Sequence, residues 1–125
     1  MKIILYGRIP SKKNSKNIIN RWNRTFIISS KKYIEWEKEQ LEYIEIKRLT
    51  KQIEIINPLW PLKINCIFFM PDKRRTDLSN KFESIADCLV KAKVIADDNY
   101  EILNEVHLYY WWYDKENPRC EIELI

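Results

Sequence analysis

The sequence predicts one α+β domain in which two main helices pack on a mixed, mostly antiparallel sheet. At 125 residues the chain has the usual length of a single domain, spanning 1–125. Hydrophobic residues make up 46% of it, enough apolar surface to offset the entropy of ordering the backbone. Period-two and helical segments follow one another in the order ββαβαββ, which favours helices packed on a sheet.

The first half of the chain predicts two short strands, a basic loop and a long helix. Lys2–Ile9 is the first predicted strand. Ser11–Arg24 is rich in turn-favouring Asn and lacks a helical stripe, so we interpret it as an exposed basic loop, closed by a short strand at Thr25–Ser29. Ser29 or Ser30 can cap a helix with early acidic and late basic residues, as the helix dipole favours. The predicted apolar face of this helix consists of Ile34, Leu41 and Ile44 or Ile46.

The second half predicts a central strand, an amphipathic helix and a terminal hairpin. Leu62–Met70 alternates apolar side chains and ends in an apolar patch, which indicates a central strand. Asp77 stands at the N-cap of the next helix, whose apolar stripe is Leu78, Phe82, Ile85 and Leu89. Glu105–Tyr113 is aromatic and β-branched enough to be a strand, and Arg119–Ile125 is predicted to pair back on it as a β-hairpin.

Composition excludes several classes of function. The single glycine, Gly7, argues against a Gly-rich phosphate loop, so no nucleotide cofactor is predicted. Three distant cysteines and one histidine fit neither a disulfide framework nor a zinc site, and predict buried thiols in a reducing compartment. No signal segment or membrane-spanning stretch is apparent, so the sequence predicts a soluble, cytoplasmic protein without a membrane partner.

Positive charge is concentrated at the beginning of the chain. The net charge is only +4, yet Met1–Lys32 contains nine Lys or Arg and neither Asp nor Glu. A cationic arm of this kind indicates a polyanionic partner such as DNA or RNA. An ordinary solvated loop explains the same composition equally well.

The segment 74–100 carries residue types that phosphodiester hydrolysis needs. One ridge of the predicted helix, away from its apolar stripe, carries Asp77, Asn80, Ser84 and Asp87. The pair Asp97 and Asp98 follows after a connection short enough to let the chain fold back. Carboxylates can hold Mg²⁺ beside a substrate phosphate, and Arg74 and Arg75 are placed to bind that phosphate. Taken alone, Asp77 is more often a helix cap, and Asp97 and Asp98 are more often turn residues.

These motifs resemble those of the RusA family of Holliday junction resolvases. Arg75–Tyr100 is similar to the family signature, in which a basic residue precedes D-L-D-N or D-L-S-N, a helix follows and an acidic pair closes the segment. Gly7–Ser15 is similar to the family's opening strand and loop, and Ser30–Tyr33 resembles the approach to its first helix. The resemblance covers most of the chain in the right order and implies a RusA-like fold.

The resemblance also implies which side chains act. The implied catalytic residues and ligands of Mg²⁺, or of Mn²⁺ as its substitute, are Asp77, Asp97 and Asp98. Ser79 stands where the family has its second aspartate, so the three-carboxylate pattern is not reproduced. Asn80 matches the motif's asparagine, and Asp87 is the candidate to supply or support the missing carboxylate. The family's helix lysine aligns with Glu83, and Lys81 is given no role.

What the resemblance implies about partners is a homodimer that nicks a four-way DNA junction symmetrically in recombination or repair, frequently in phages. A two-fold dimer presents the same site to two equivalent phosphates. The predicted DNA-binding residues are Lys12, Lys13, Asn14, Lys16, Arg21, Arg24, Arg74 and Arg75. Trp22 and the run Tyr109–Tyr113 could stack on unpaired bases. For Tyr109–Tyr113 we favour alternating core and dimer-interface positions instead.

Three alternatives stay open. A related metal-dependent nuclease could cut flaps, loops or duplex. A non-catalytic module could bind branched DNA, with Ser79 marking a lost site. A protein-interaction domain could use the basic loop to meet an acidic partner.

Overall fold

The structure is a computed structural model that describes residues 1–12, 16–21, 24–53 and 61–125; within 16–21 and 24–29 it describes the backbone and, of the side chains, Ile18 alone. These residues form one α+β domain, as predicted. Its elements are β1 (Lys2–Tyr6), β2 (Lys16–Arg21), β3 (Arg24–Ser29), α1 (Lys31–Leu49), β4 (Leu62–Met70), α2 (Leu78–Lys91), β5 (Leu103–Tyr113) and β6 (Arg119–Leu124).

The main sheet has four strands in the order β1-β6-β4-β5. β6 pairs antiparallel with both β1 and β4, whereas β4 and β5 are parallel and α2 connects them. Parallel neighbours need such a crossover, because a tight turn cannot bring the chain back to the same end of the sheet. β2 and β3 form a separate antiparallel pair. The predicted mixed sheet is therefore confirmed.

The core lies between this sheet and the helices. Alternate residues of β4 are buried, from Leu62 to Met70, as its period-two pattern predicts. Ile85 and Leu89 of α2 are fully buried against them, and Leu78 and Phe82 are partly buried at the margin of the same stripe. All three cysteines are buried and free. Burial raises the pKa of the Cys88 thiol to about 12, which disfavours its thiolate form.

The predicted terminal hairpin is wrong, because β6 does not pair with β5. β6 lies between β1 and β4, and β5 is at the edge of the sheet. The alternate side chains Cys120, Ile122 and Leu124 are buried, and the interior position gives that face apolar neighbours on both sides. β5 has a different pattern, since most of its side chains are exposed.

The aromatic run in β5 is not part of the core. Tyr109, Tyr110, Trp111 and Trp112 are each at least half exposed. The core part of the interpretation is therefore wrong for residues 109–112, whereas Tyr113 packs against the core and the dimer-interface part stays a prediction. Aromatic side chains favour strands on a half-covered surface as well as in a core, so their presence predicted the strand and not its burial.

Two expectations for the first half of the chain also need correction. The predicted basic loop at 11–24 contains strand β2, which pairs with β3. The predicted first strand ends at Tyr6 rather than Ile9, since Gly7 adopts a positive φ of 85° that turns the chain. The Gly7 N–H donates to the carbonyl of Pro118 at 2.8 Å.

Helix α1 begins as predicted, and its predicted face is confirmed in part, since Ile44 is buried and Leu41 packs against the core. The Ser30 hydroxyl caps it by accepting from the Tyr33 N–H at 3.2 Å. The buried residues are Tyr33, Trp36, Gln40 and Ile44, whereas Ile34 and Ile46 are exposed. Two large aromatic side chains bury more area than the isoleucines would, so they determine the orientation. Among the described residues, no helix combines the length and apolar composition of a membrane span.

Candidate active site

A short segment after β1 lies across the polar face of α2. The buried ammonium group of Lys81 donates to the carbonyl of Ile9 at 2.5 Å, and the Ser84 hydroxyl donates to the carbonyl of Pro10 at 2.6 Å. The Lys12 N–H donates to the carbonyl of Asn80 at 3.4 Å. These bonds hold residues 9–12, which we call the crossing segment, against the middle of the helix.

The crossing segment changes the predicted polar ridge. Ser84 is fully buried beneath it, whereas Asp77 is exposed and Asp87 is half-buried. The ridge is therefore open at its ends and covered in the middle. The hydrogen bonds explain this, because a buried hydroxyl or ammonium needs a partner, and the carbonyls of Ile9 and Pro10 supply it.

An acidic cluster lies at the C-terminal end of α2, and we define it as Asp87, Asp97 and Asp98. The helix ends in a Schellman motif, in which Lys93 has a φ of 59° and the N–H of Val94 donates to the carbonyl of Leu89 at 3.0 Å. This motif turns the chain beyond the helix, so the acidic pair returns close enough to Asp87 for the two to interact electrostatically.

Charge in the acidic cluster is only partly balanced. The Lys12 ammonium group pairs with Asp87 at 2.5 Å. The pKa of Asp98 is raised, first by burial and then by the neighbouring carboxyls of Asp97 and Asp87. The pKa of Asp97 is lowered, because its carboxylate accepts from the Asp98 N–H at 2.7 Å and from the Asn99 amide at 3.0 Å. Among the described residues, Asp97 and Asp98 therefore form no ion pair, and Lys12 balances Asp87 alone.

Asp77 occupies the N-cap position of α2, as predicted, but its side chain does not cap the helix. No backbone N–H of the first turn donates to this carboxylate. Oδ2 of Asp77 accepts from the Asn80 amide at 3.3 Å instead. Because the helix does not use the carboxylate, the explanation of Asp77 as an ordinary cap loses its basis. Ser79, the neighbour that replaces the family's second aspartate, is exposed and beside it.

The donor set fits a small metal site rather than a three-carboxylate one. Among the described residues, no three Asp, Glu, His or Cys side chains converge on a point where a metal ion could bind. Asp77 is therefore not joined with Asp97 and Asp98 in one cluster. Mg²⁺ commonly takes only one or two protein carboxylates and completes its shell with water and substrate phosphate. The carboxyl groups of Asp97 and Asp98 interact with each other and have no ion-pair partner among the described residues, so they fit that smaller set.

A basic cavity of about 660 Å³ lies at the N-terminal end of α2, and Thr76, the residue before Asp77, lines it. We define it by its cationic lining residues, which are Arg8, Lys32, Arg74, Arg75 and Lys81. Asp72 pairs with Arg8 at 2.5 Å and with Arg74 at 3.1 Å. The bonds from Arg74 and Arg8 lower the pKa of Asp72 to about 2. Burial, and then the charge of Arg8, lower the pKa of Lys81.

Two polar atoms in the wall of the basic cavity have no partner among the described residues. They are the Ser11 hydroxyl oxygen and the indole Nε1 of Trp36, and both are buried. A buried donor without an acceptor costs about 1–3 kcal/mol.

The predicted DNA-binding residues have different outcomes. Arg74 and Arg75 line the basic cavity, and Lys12 instead pairs with Asp87. Lys13, Asn14 and Trp22 lie outside the described residues, as do the side chains of Lys16, Arg21 and Arg24. Sequence reasoning missed Arg8, Lys32 and Lys81 as cavity residues. The available signal was the position of Lys81, one helical turn after Asp77 on the same side of α2.

The geometry therefore combines under-neutralised carboxylates at one end of α2 with a cationic cavity at the other. Both groups can act on a phosphodiester, the first through a bound divalent cation and the second through direct contacts. No protein-family model matches this chain, and a search of curated proteins gave no match. Function is accordingly inferred from these side chains.

Proposed function

We propose that this chain is a divalent-metal-dependent endodeoxyribonuclease that cuts branched DNA, as resolvases of the RusA family do. The observation that carries the proposal is the position of the acidic cluster and the basic cavity at the two ends of α2, with the crossing segment between them. A nuclease needs oxygen ligands for a metal and cations for the DNA backbone on one surface.

The residues divide the work by their chemistry. Arg74 and Arg75 bind phosphate oxygens through the planar donors of guanidinium groups, and Lys81 adds charge at the wall of the cavity. Mg²⁺, or Mn²⁺ in its place, would be held by Asp98 and Asp97, with Asp87 in support, whereas Asp77 lies at the opposite end of α2 and outside this set. The chemistry such an ion supplies is a water of lowered pKa beside the phosphoryl group.

A homodimer is part of the proposal. A four-way junction presents two equivalent phosphates, and a two-fold dimer brings one site to each. Coordinated cutting of both strands then follows from symmetry. Light scattering of the purified protein, alone and with junction DNA, measures the oligomeric state.

The decisive experiment compares cleavage of a labelled four-way junction, a flap and a linear duplex in Mg²⁺ and in Mn²⁺. We expect paired, symmetric nicks in the junction. Asp97→Asn and Asp98→Asn should bind the junction and not cut it. Glu83→Gln is the matched control, because Glu83 is an exposed carboxylate on the same helix outside the proposed site. Equal cutting of all three substrates would replace the junction resolvase with a less selective nuclease.

A second candidate is a non-catalytic module that binds branched DNA. Ser79, together with the lack of three converging metal-binding side chains in the described part of the chain, favours it. Its signature is tight junction binding without cutting in either metal, unchanged by Asp77→Asn. Weak DNA binding that does not distinguish the three substrates would indicate a protein partner instead.

A further inference from the structure

A second groove, of about 460 Å³, lies between the end of edge strand β5 and the segment that precedes α2. Its aromatic and cationic lining residues are Tyr110, Trp112, Tyr113, Lys73, Arg74 and Arg75. Arg74 and Arg75 also line the basic cavity, so the two concavities adjoin. We call this second groove the aromatic groove.

An irregularity in β5 determines which aromatic side chains reach the aromatic groove. Tyr110 pairs with Phe68 and Trp112 pairs with the next residue, Phe69, so Trp111 is left out of the register. Trp111 is 68% exposed and does not line the groove, whereas Trp112 is 59% exposed and does. Two adjacent tryptophans of similar exposure therefore occupy different sites.

The lining of the aromatic groove combines flat rings with excess positive charge. The rings of Trp112 and Tyr113 lie 5.8 Å apart with an angle of 32° between their planes. The ammonium group of Lys73 lies 4.8 Å from the centre of the Tyr113 ring. The acidic lining residue, Asp72, already pairs with Arg8 and Arg74. The charge of Arg75 and Lys73 is therefore not balanced by an ion pair among the described residues.

We propose that the aromatic groove binds an unpaired segment of a DNA strand. Bases of any sequence can stack on Trp112 and Tyr110, while Lys73 and Arg75 contact the phosphates between them. Stacking requires that a base be free of its duplex neighbours, so the groove selects unpaired nucleotides over a continuous helix. This inference rests on the proposed function for its choice of DNA. It deepens that function, because the shared arginines would lead the strand from this groove toward the candidate active site.

The test measures binding without a divalent metal, by fluorescence anisotropy. One probe is a labelled oligothymidylate of about a dozen nucleotides, and the other is an abasic strand of the same length. We expect Trp112→Ala to weaken oligothymidylate binding about tenfold, as loss of one stacked base predicts. Trp111→Ala is the matched control and should change it by less than about twofold, since an exposed side chain outside the groove stacks on no base. Neither variant should affect the abasic strand, whereas Arg75→Ala should weaken both probes.

Two results would overturn the proposal. One is an equal effect of Trp112→Ala and Trp111→Ala on oligothymidylate binding. The other is a Trp112→Ala protein that binds the probe normally but loses its oligomeric state, which would make the groove a contact between copies of this chain. Circular dichroism checks the fold, and both tryptophans are exposed enough for substitution to be tolerated.

The outcome is separable from that of the nuclease proposal. Binding that depends on Trp112 in a protein that cuts no junction supports the groove and rejects the nuclease. Junction cutting by a protein whose oligothymidylate binding ignores Trp112 supports the nuclease and rejects the groove.

Discussion

Helices α1 and α2 differ in their N-caps and in the charged residues around their ends. In α1 the N-cap side chain bonds the first turn, basic residues lie in the last turn, and Glu45 pairs with Arg48 at 2.8 Å. In α2 the N-cap carboxylate leaves the first turn uncapped, and cations gather before the helix while carboxylates gather near its end. The helix dipole favours anions at the N-terminus and cations at the C-terminus.

We infer from this difference that the charges around α2 are arranged for function rather than for the stability of the helix. The last turn of α1 follows these rules through Lys47, Arg48 and the Glu45–Arg48 pair, although its first turn carries Lys31 and Lys32. Several charges around α2 break those rules, and Lys91, which pairs with Glu37 at 2.8 Å, is an exception that joins the two helices. Violations of local rules concentrate at functional sites in natural proteins. α1 is therefore the scaffold, and α2 organises the candidate site.

The largest expected effect comes from removing a carboxylate at the end of α2. Asp87→Asn should slow junction cleavage about 10- to 100-fold, since it releases Lys12 and removes a group that supports the proposed metal site. Glu45→Gln on α1 removes a paired carboxylate of the scaffold and should leave the rate unchanged. Single-turnover cleavage with protein in excess measures both. Equal rates for the two variants would contradict the functional distinction between the helices.

The next effect concerns cations before α2. Arg75→Ala should weaken binding to all DNA substrates about tenfold at low salt and reduce the salt dependence by about one phosphate contact. Lys38→Ala, an exposed lysine on α1, is the matched control. A titration at several salt concentrations gives both the affinity and the slope. If Arg75→Ala and Lys38→Ala weakened binding equally, net charge and not the basic cavity would determine the affinity for DNA.

A smaller effect separates the two N-caps. Ser30→Ala should lower the free energy of unfolding by about 1 kcal/mol, because the Tyr33 N–H loses its acceptor. Asp77→Ala should change it by less than about 0.5 kcal/mol, since no helix N–H is lost. Urea denaturation of the two variants measures the contrast. A large loss in Asp77→Ala would show that this carboxylate stabilises the helix after all.

The smallest effect is confined to acid. The pKa of Asp72 is lowered from 3.8 to about 2 by its bonds to Arg74 and Arg8. A depressed pKa in the folded state stabilises the protein above the ordinary pKa, and this contribution is lost as pH falls from about 4 to about 2. Asp72→Asn should therefore lose less stability than the native protein over this interval. Thermal unfolding at several acidic pH values tests it, and parallel curves would count against the interaction.

Local periodicity predicted the elements whose buried face does not depend on competition from other parts of the chain. The period-two pattern of β4 and the apolar stripe of α2 each describe one face against one core, and both are found. The α1 face was predicted only in part, because Ile44 is buried as expected but Tyr33 and Trp36 are buried in place of Ile34. The place of β6 in the sheet depends on β1 and β4, which its own sequence does not reveal.

The candidate site, too, could be predicted from local sequence only in part. Residue types and spacing pointed to the acidic residues and to Arg74 and Arg75. They could not reveal the crossing segment, because the Lys81–Ile9 bond joins residues 72 positions apart. Nor could they reveal that β5 leaves Trp112 exposed at the edge of the sheet. Both features depend on long-range packing rather than on local pattern.

The order of strands in the sheet also has a consequence for how the chain folds during synthesis. Among the described strands of the main sheet β1 pairs with β6 alone, so β1 must wait until β6 has been synthesised. Until then the apolar side chains of Ile3 and Leu5, buried in the finished sheet, have no strand to pair against. Pairing of such distant segments is slow and leaves hydrophobic surface exposed in the meantime. Completion of the sheet therefore has to wait for the synthesis of β6, and until then chaperones that bind nascent apolar strands would find a target in β1.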